Sequence, residues 1–283
     1  MRWAKKPPVR KAPMRLGISS YTFSWAVGVP GREPASPVGP MELLDKAVQL
    51  GVRVVQVIDN LPLLGRPKGE LLRFRQRADE LGIQLEIGTS GISPEHLAEY
   101  LSLAQLLGSR IVRVLTDTAE HKPTVEEVEA LLRQSLPAYE KAGVCIAVEN
   151  HDRLPTKVLA GILERIRSPF LGICLDTVNS FGALEGPEVV VENLAPWVVN
   201  LHVKDFWIRR ANYQMGFVIE GRPAGQGRLD VPWLLKRLKE AGRDPNAILE
   251  LWTPEQDSLE ATIAKEDAWA RESIEYLRTL IPD

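Results

Sequence analysis

Four residues in the second half of the chain, Glu149, Asp176, His202 and Glu250, each sit where a short apolar run ends. Three carboxylates and one imidazole can ligate a divalent ion, and this oxygen-rich set favours Mn²⁺ or Mg²⁺ over a structural zinc. The runs are VCIAVENH (144–151), FLGICLDTVN (170–179), VVNLHVKD (198–205) and AILELW (247–252). Period-2 alternation puts Cys145, Ala147 and Glu149 on one face, Cys174 with Asp176, Asn200 with His202, and Ile248 with Glu250. Val144, Ile146 and Val148 make an aliphatic outer face suited to helix packing. The four ligands can therefore converge inside one barrel. There an ion would neutralise charge developing on an enediolate, while a carboxylate on either side of the substrate carbon removes or returns a proton. Each acid alone could be a helix cap or a loop ion pair; the four together point to an enzyme.

The elements that must position them alternate regularly. RLGISS (15–20), VRVVQVID (52–59), IQLEIG (83–88) and SRIVRVLT (109–116) read as strands 1 to 4, and the four runs above as strands 5 to 8. Helical periodicity covers 41–50, 70–81, 94–107, 124–142, 156–167, 186–195, 231–242 and about 258–280, with Gly51, Gly82, Gly108, Gly143 and Gly242 as stops. Eight βα units in 283 residues without a linker imply one α/β domain, a (β/α)8 TIM barrel over 14–283. The basic stretch 1–13 reads as a disordered leader. An open doubly wound sheet fits less well, because no Gly-rich phosphate turn follows the first strand. Residues 21–40 and 205–230 are long βα loops, which is where such a fold builds its substrate pocket.

Weaker constellations surround the four. Lys204 shares a face with His202, and two cations in a barrel mouth need an anionic counterpart. Gln56, Glu86 and Arg113 interrupt strands at lumen-facing positions and are expected to fill the barrel with a polar network. Arg113 can also offer a fork to a substrate carboxylate or phosphate, and Glu86 is a further substrate-binding candidate. The loop after strand 7 carries Arg209, Arg210, Arg222 and a GxG turn at Gly225 and Gly227 whose amides could cradle an anion. His151 and Asp152 join the site or bond the loop, and His96 and His121 are expected to face solvent. Tyr21, Phe23 and Trp25 form an apolar lid or cover the top of the core.

In their order on consecutive strands, the strings AVENH, CLDTVNS, LHVKD and ILELW resemble the xylose-isomerase-like TIM barrel superfamily, most of all its ketose 3-epimerases and sugar-phosphate isomerase/epimerase homologues. The resemblance covers about residues 14–280. It implies that Glu149, Asp176, His202 and Glu250 bind Mn²⁺, Mg²⁺ or Co²⁺, and that Glu149 and Glu250 are also the proton-transfer pair. Pro223, Gly225 and Gly227 are similar to the family's Pro-Gly-x-Gly stretch. One position departs from the pattern: the ketose 3-epimerases carry a histidine three residues after the strand-6 aspartate, and this chain has Asn179. Asn179 remains a substrate-binding candidate, but the epimerases' grip on substrate hydroxyls does not carry over intact.

The expected function is a divalent-metal-dependent isomerase or epimerase of a ketose, sugar acid or sugar phosphate, acting through a metal-bound enediolate. A second chemistry fits the same residues: a 3-keto sugar acid losing CO2 leaves the same enediolate, with Lys204, Arg113 or an arginine of the strand-7 loop such as Arg209 holding the carboxylate. The nucleases of the superfamily need a multinuclear zinc cluster and a basic face. Four histidines, two of them off-site, a net charge of −2 and a pI near 6.2 supply neither. A non-catalytic sugar-binding barrel would not need both Glu149 and Glu250. The expected partner is a small sugar or sugar acid, with no nucleic acid and no membrane, since apolar runs are strand-length and the N-terminus lacks a signal-peptide core. Only Cys145 and Cys174 occur, both in predicted strands, which points to a reducing, cytoplasmic location. Exposed Trp and Phe after strand 7 permit a homodimer or homotetramer.

Overall fold

The structure, a computed structural model, describes residues 13–213 and 215–282, so all but the last residue of the expected leader lies outside it. In chain order the first barrel strands are β1 (Leu16–Ser19), β2 (Val54–Val57), β3 (Gln84–Ser90), β4 (Ile111–Leu115), β5 (Cys145–Glu149), β6 (Leu171–Asp176) and β7 (Val198–Val203). A hairpin of β8 (Asp205–Arg210) and β9 (Phe217–Arg222) stands outside the barrel, and β10 (Asn246–Leu249) is the eighth barrel strand. The eight close in the order β1-β10-β7-β6-β5-β4-β3-β2, every pair parallel. This is the (β/α)8 barrel that the alternation of periods predicts.

Between the strands run α2 (Pro40–Leu50), α3 (Lys68–Leu81), α4 (Pro94–Leu107), α5 (Val125–Ala142), α6 (Thr156–Ile166), α7 (Pro187–Leu194), α8 (Val231–Glu240) and, last, α9 (Leu259–Leu280). The ends follow local chemistry. Thr124 and Glu127 form a reciprocal capping box on α5, while Ser93, Asp230 and Ser258 cap α4, α8 and α9. Outer strand faces such as Ile18, Val55, Val112, Ile146 and Leu201 join Leu44, Leu97, Leu132, Leu234 and Leu277 in one buried core.

The lumen is polar instead. The Glu86 carboxylate accepts from the amides of Gln56 (3.2 Å), Gln84 (3.1 Å), Asn200 (2.7 Å) and Asn246 (2.6 Å), which fills the barrel with a hydrogen-bonded network. Both of its oxygens are thus engaged by the fold, which speaks against the substrate-binding role considered for it. The connections differ from plain loops. The segment after β1 contains a 3-10 turn over 20–23 and the short helix α1 (Ser24–Val27), and the segment after β7 is an arm that exposes Tyr213 and Phe217.

Candidate metal centre

Parallel strands end together at one mouth of the barrel, so residues closing adjacent strands become neighbours. Asp176 is the register partner of His202, Ile248 also pairs with His202, and Glu149 pairs with Cys174. His202 Nδ1 lies 3.1 Å from Glu149 Oε2, 3.6 Å from Asp176 Oδ2 and 3.5 Å from Glu250 Oε1. All four side chains are buried. The structure therefore brings the four strand-end residues around one point.

The orientation of each is fixed by its neighbours. Asp176 Oδ1 accepts from the backbone N–H of Val178 (2.9 Å) and Asn179 (2.8 Å), which turns Oδ2 into the lumen. Gln56 donates its amide hydrogens to Glu86 and Asn200, so its carbonyl oxygen is the atom facing His202 Nε2 at 2.7 Å. Nε2 must then carry the proton, and Nδ1 presents a lone pair. Asp176 Oδ2 and His202 Nδ1 are both buried without a hydrogen-bond partner. Such orphaned acceptors aimed at one point are what a divalent cation satisfies, so the residues fit an ion. Among the described residues two ligand groups meet the spacing, Asp176–His202–Glu250 and Glu149–Cys174–His202, with ligand atoms within 4.8 Å of one another.

Two cations belong to the same cluster. Arg113 Nε donates to Glu149 Oε2 at 2.5 Å, and Asn179 Nδ2 donates to Glu149 Oε1 at 2.7 Å. Lys204 Nζ lies 2.8 Å from Glu250 Oε2, 2.9 Å from Asp176 Oδ2 and 3.4 Å from Asn179 Oδ1. Asp176 Oδ2 thus has the Lys204 ammonium as an ion-pair neighbour but no hydrogen bond. Burial would raise the Glu149 carboxyl, but Arg113, His202 and Lys204 hold it well below the usual carboxylate range. Burial likewise opposes the charge on Asp176, and Lys204 and His202 keep it lowered. Burial pulls His202 down while Cys174, Glu250 and Glu149 lift it well above an ordinary histidine. The surroundings call for positive charge at Nδ1, from a proton or an ion.

The other candidates lie elsewhere. His151 is 37% exposed with Nδ1 3.1 Å from Asp152 Oδ2, outside the carboxylate cluster. Arg209 bonds Glu220 on the arm, Arg222 bonds the same carboxylate, and Arg210 stacks on Phe217, so Lys204 alone of the expected strand-7 cations enters the centre. The GxG amides hold an anion of the chain itself: Asp205 Oδ2 accepts from Gly225 and Gly227 N–H, both at 2.9 Å. A side chain at residue 227 would collide with that carboxylate. His96 is half-buried rather than solvent-facing, its Nε2 2.7 Å from Thr89 Oγ1, whereas His121 is exposed. Tyr21 and Trp25 are tied down through Asp59 Oδ1 and the Thr253 carbonyl, as a cover requires.

Four contributors have roles that the sequence reading did not show, although it set Gln56 and Cys174 on lumen faces. Gln56 orients His202, Ser19 Oγ donates to Glu250 Oε1 at 2.8 Å, Cys174 sits beside Glu149, and Asn150 clamps β5 to β6 through both the N–H and the carbonyl of Asp176. Asn150 was visible within AVENH but gave no sign of its role. A serine ending a strand gives no signal at all.

Comparison with known proteins places these findings. Residues 44–280 match the family described as xylose isomerase-like TIM barrel. Over 269 residues the chain is 40% identical to the 3-oxo-isoapionate decarboxylase of Pectobacterium atrosepticum, covering 95% of this chain and 97% of that protein. Among solved structures, a D-psicose 3-epimerase in the presence of D-fructose superposes with a TM-score of 0.72 at 14% identity, covering 95% of this chain and 100% of that one. A xylose isomerase-like barrel from Mycobacterium smegmatis in complex with magnesium gives 0.65 at 12% identity, covering 94% and 98%. At these identities the two structures speak for the fold alone.

Proposed function

The chain belongs to the xylose isomerase-like TIM barrel family and is an enzyme; from that premise we propose that it is a metal-dependent decarboxylase of a 3-oxo sugar acid. The observation that carries this reading is the 40% identity, along nearly the whole of both chains, to a 3-oxo-isoapionate decarboxylase. It supports the second chemistry of the sequence reading over isomerisation. The charges of the centre agree with it. Three ligand carboxylates face two cations, Arg113 and Lys204, leaving one negative charge, and a divalent ion would turn this into one positive charge. A buried excess of positive charge favours an anionic sugar acid over a neutral ketose.

Glu149, Asp176, His202 and Glu250 would hold the ion, which supplies a Lewis acid for the charge that develops on the substrate's 3-oxo oxygen. Lys204 is placed to hold the substrate carboxylate. Its ammonium sits between Asp176 and Glu250, with the Trp252 ring centroid 5.9 Å away as an apolar wall beside the departing group. The bond between the carboxyl carbon and C2 breaks, its electron pair passes into the C2–C3 enediolate, CO2 leaves, and C2 takes up a proton. Glu250, hydrogen-bonded by Ser19 and paired with Lys204, is the group suited to deliver that proton. Glu149 is held instead by the Arg113 guanidinium, which does not release its proton, and by the Asn179 amide, whereas the ammonium and hydroxyl beside Glu250 can relay one, so Glu149 suits the role of ligand.

Incubation in D2O with 3-oxo sugar acids and a panel of ketoses, followed by NMR, tests the reading. The expected outcome is CO2 release with one deuterium at the former C2 and no exchange into any ketose. Lys204→Met should lower kcat/KM by about 100-fold or more, the effect of losing a buried charged contact. Deuterium entering a ketose with its carbon count conserved would restore the epimerase reading.

A further inference from the structure

Cys174 lies two residues before Asp176 on β6, faces the same lumen and is the cross-strand neighbour of Glu149. Its Sγ is 4.0 Å from Glu149 Oε2 and 3.3 Å from Asn200 Oδ1, and the side chain is fully buried. Glu149, Cys174 and His202 offer a carboxylate oxygen, a sulfur and an imidazole nitrogen all within 4.8 Å of one another. Independently, His202 Nδ1 is buried with no hydrogen-bond partner. Tetrahedral zinc, with bonds of about 2.0–2.3 Å to such atoms, sets its ligands roughly 3.5 Å apart, a spacing that this group can adopt.

We propose that Glu149, Cys174 and His202 form a second, thiolate-containing site for a thiophilic divalent ion, zinc, deeper in the barrel than the Asp176–His202–Glu250 group. The two sites exclude each other because both need His202 Nδ1. Zinc binding there replaces the Sγ–H bond by a Zn–S bond and releases one proton to solvent. Nitrogen and oxygen sites already bind zinc more tightly than manganese or magnesium, and a soft sulfur widens the gap. Zinc would thus remove His202 from the oxygen-rich group and displace a harder ion. The inference does not depend on which reaction the enzyme catalyses.

Cobalt(II) substituted into the full-length chain is the probe, because sulfur ligation adds a strong near-ultraviolet charge-transfer absorption that oxygen and nitrogen ligation lacks. The expected result is this absorption in the unmodified chain and its absence in Cys174→Ser and Cys174→Ala. In parallel, calorimetric Zn²⁺ affinity should fall about 10–100-fold in both variants while Mn²⁺ affinity stays within a few-fold. Retained Mn²⁺ binding also reports that the variants are folded. Identical cobalt spectra in all three proteins, or Zn²⁺ and Mn²⁺ affinities that fall together, would overturn the proposal.

Discussion

His202 presents Nδ1 to the carboxylates because Gln56, three barrel strands away in space and far away in sequence, presents only its carbonyl oxygen to Nε2. The orientation of Gln56 depends in turn on Glu86 and Asn200, so a network that looks like barrel filling also sets a tautomer. Gln56→Met should lower Mn²⁺ affinity about 10–100-fold by freeing the imidazole. It should also destabilise the fold by roughly 1–3 kcal/mol, since Glu86 and Asn200 lose a donor. Titration calorimetry and thermal unfolding read the two effects; unchanged Mn²⁺ affinity would show that the ring needs no such support. The ligand candidates themselves were legible because a polar residue ending an apolar run stands out against period-2 alternation. The contacts of Gln56, Ser19 and Cys174 were not, because what they touch is set by the stagger of strands far apart in the chain.

At the scale of elements, barrel strands and long helices were legible to within three residues at their ends, while the βα connections were not. The arm of β8 and β9 exposes Trp207, Phe217 and Ile219, so it lacks the buried face that makes a strand stand out, and its length alone was readable. Helix α1, four residues long, is too short to show a 3.6 period and is held instead from the far end of the chain: Glu266 on α9 accepts the N–H groups of Trp25 and Ala26, both at 3.1 Å. Burial pushes the Glu266 carboxyl up to about 8, against the lowering effect of those two donors. A folded pKa above the ordinary carboxylate value means that this group contributes stability below about 4.5 and loses it as pH rises through about 8. Stability measured from pH 5 to 9 should therefore decline partly through Glu266, and Glu266→Gln should flatten that decline by an amount on the order of a few kcal/mol. Parallel curves for the two proteins would remove Glu266 from the account. The same titration bears on the cover over the mouth, because Trp25 is anchored both by this carboxylate and by the Thr253 carbonyl.

For the molecule as a whole, the barrel divides its labour around the ring. Strands β1 to β4 supply orienting and countercharged groups, Ser19, Gln56, Glu86 and Arg113, while β5, β6, β7 and the end of β10 supply the four candidate ligands. No unfolded chain can assemble this set, since residues 149 to 250 are brought together only when the barrel closes. An ion that binds the native chain alone must therefore stabilise it by mass action. At a hundred times the dissociation constant the gain is about 2.7 kcal/mol, which for a chain of this length raises Tm by roughly 4–6 °C. Adding Mn²⁺ to chelator-treated protein should produce that rise, and chelator should reverse it. His202→Ala and Asp176→Asn should unfold within a few degrees of the ion-free parent, since each loses one buried polar contact and no part of the hydrophobic core, yet show no rise with Mn²⁺. A full rise in His202→Ala would place the stabilising ion away from the strand ends and separate the four residues from any metal.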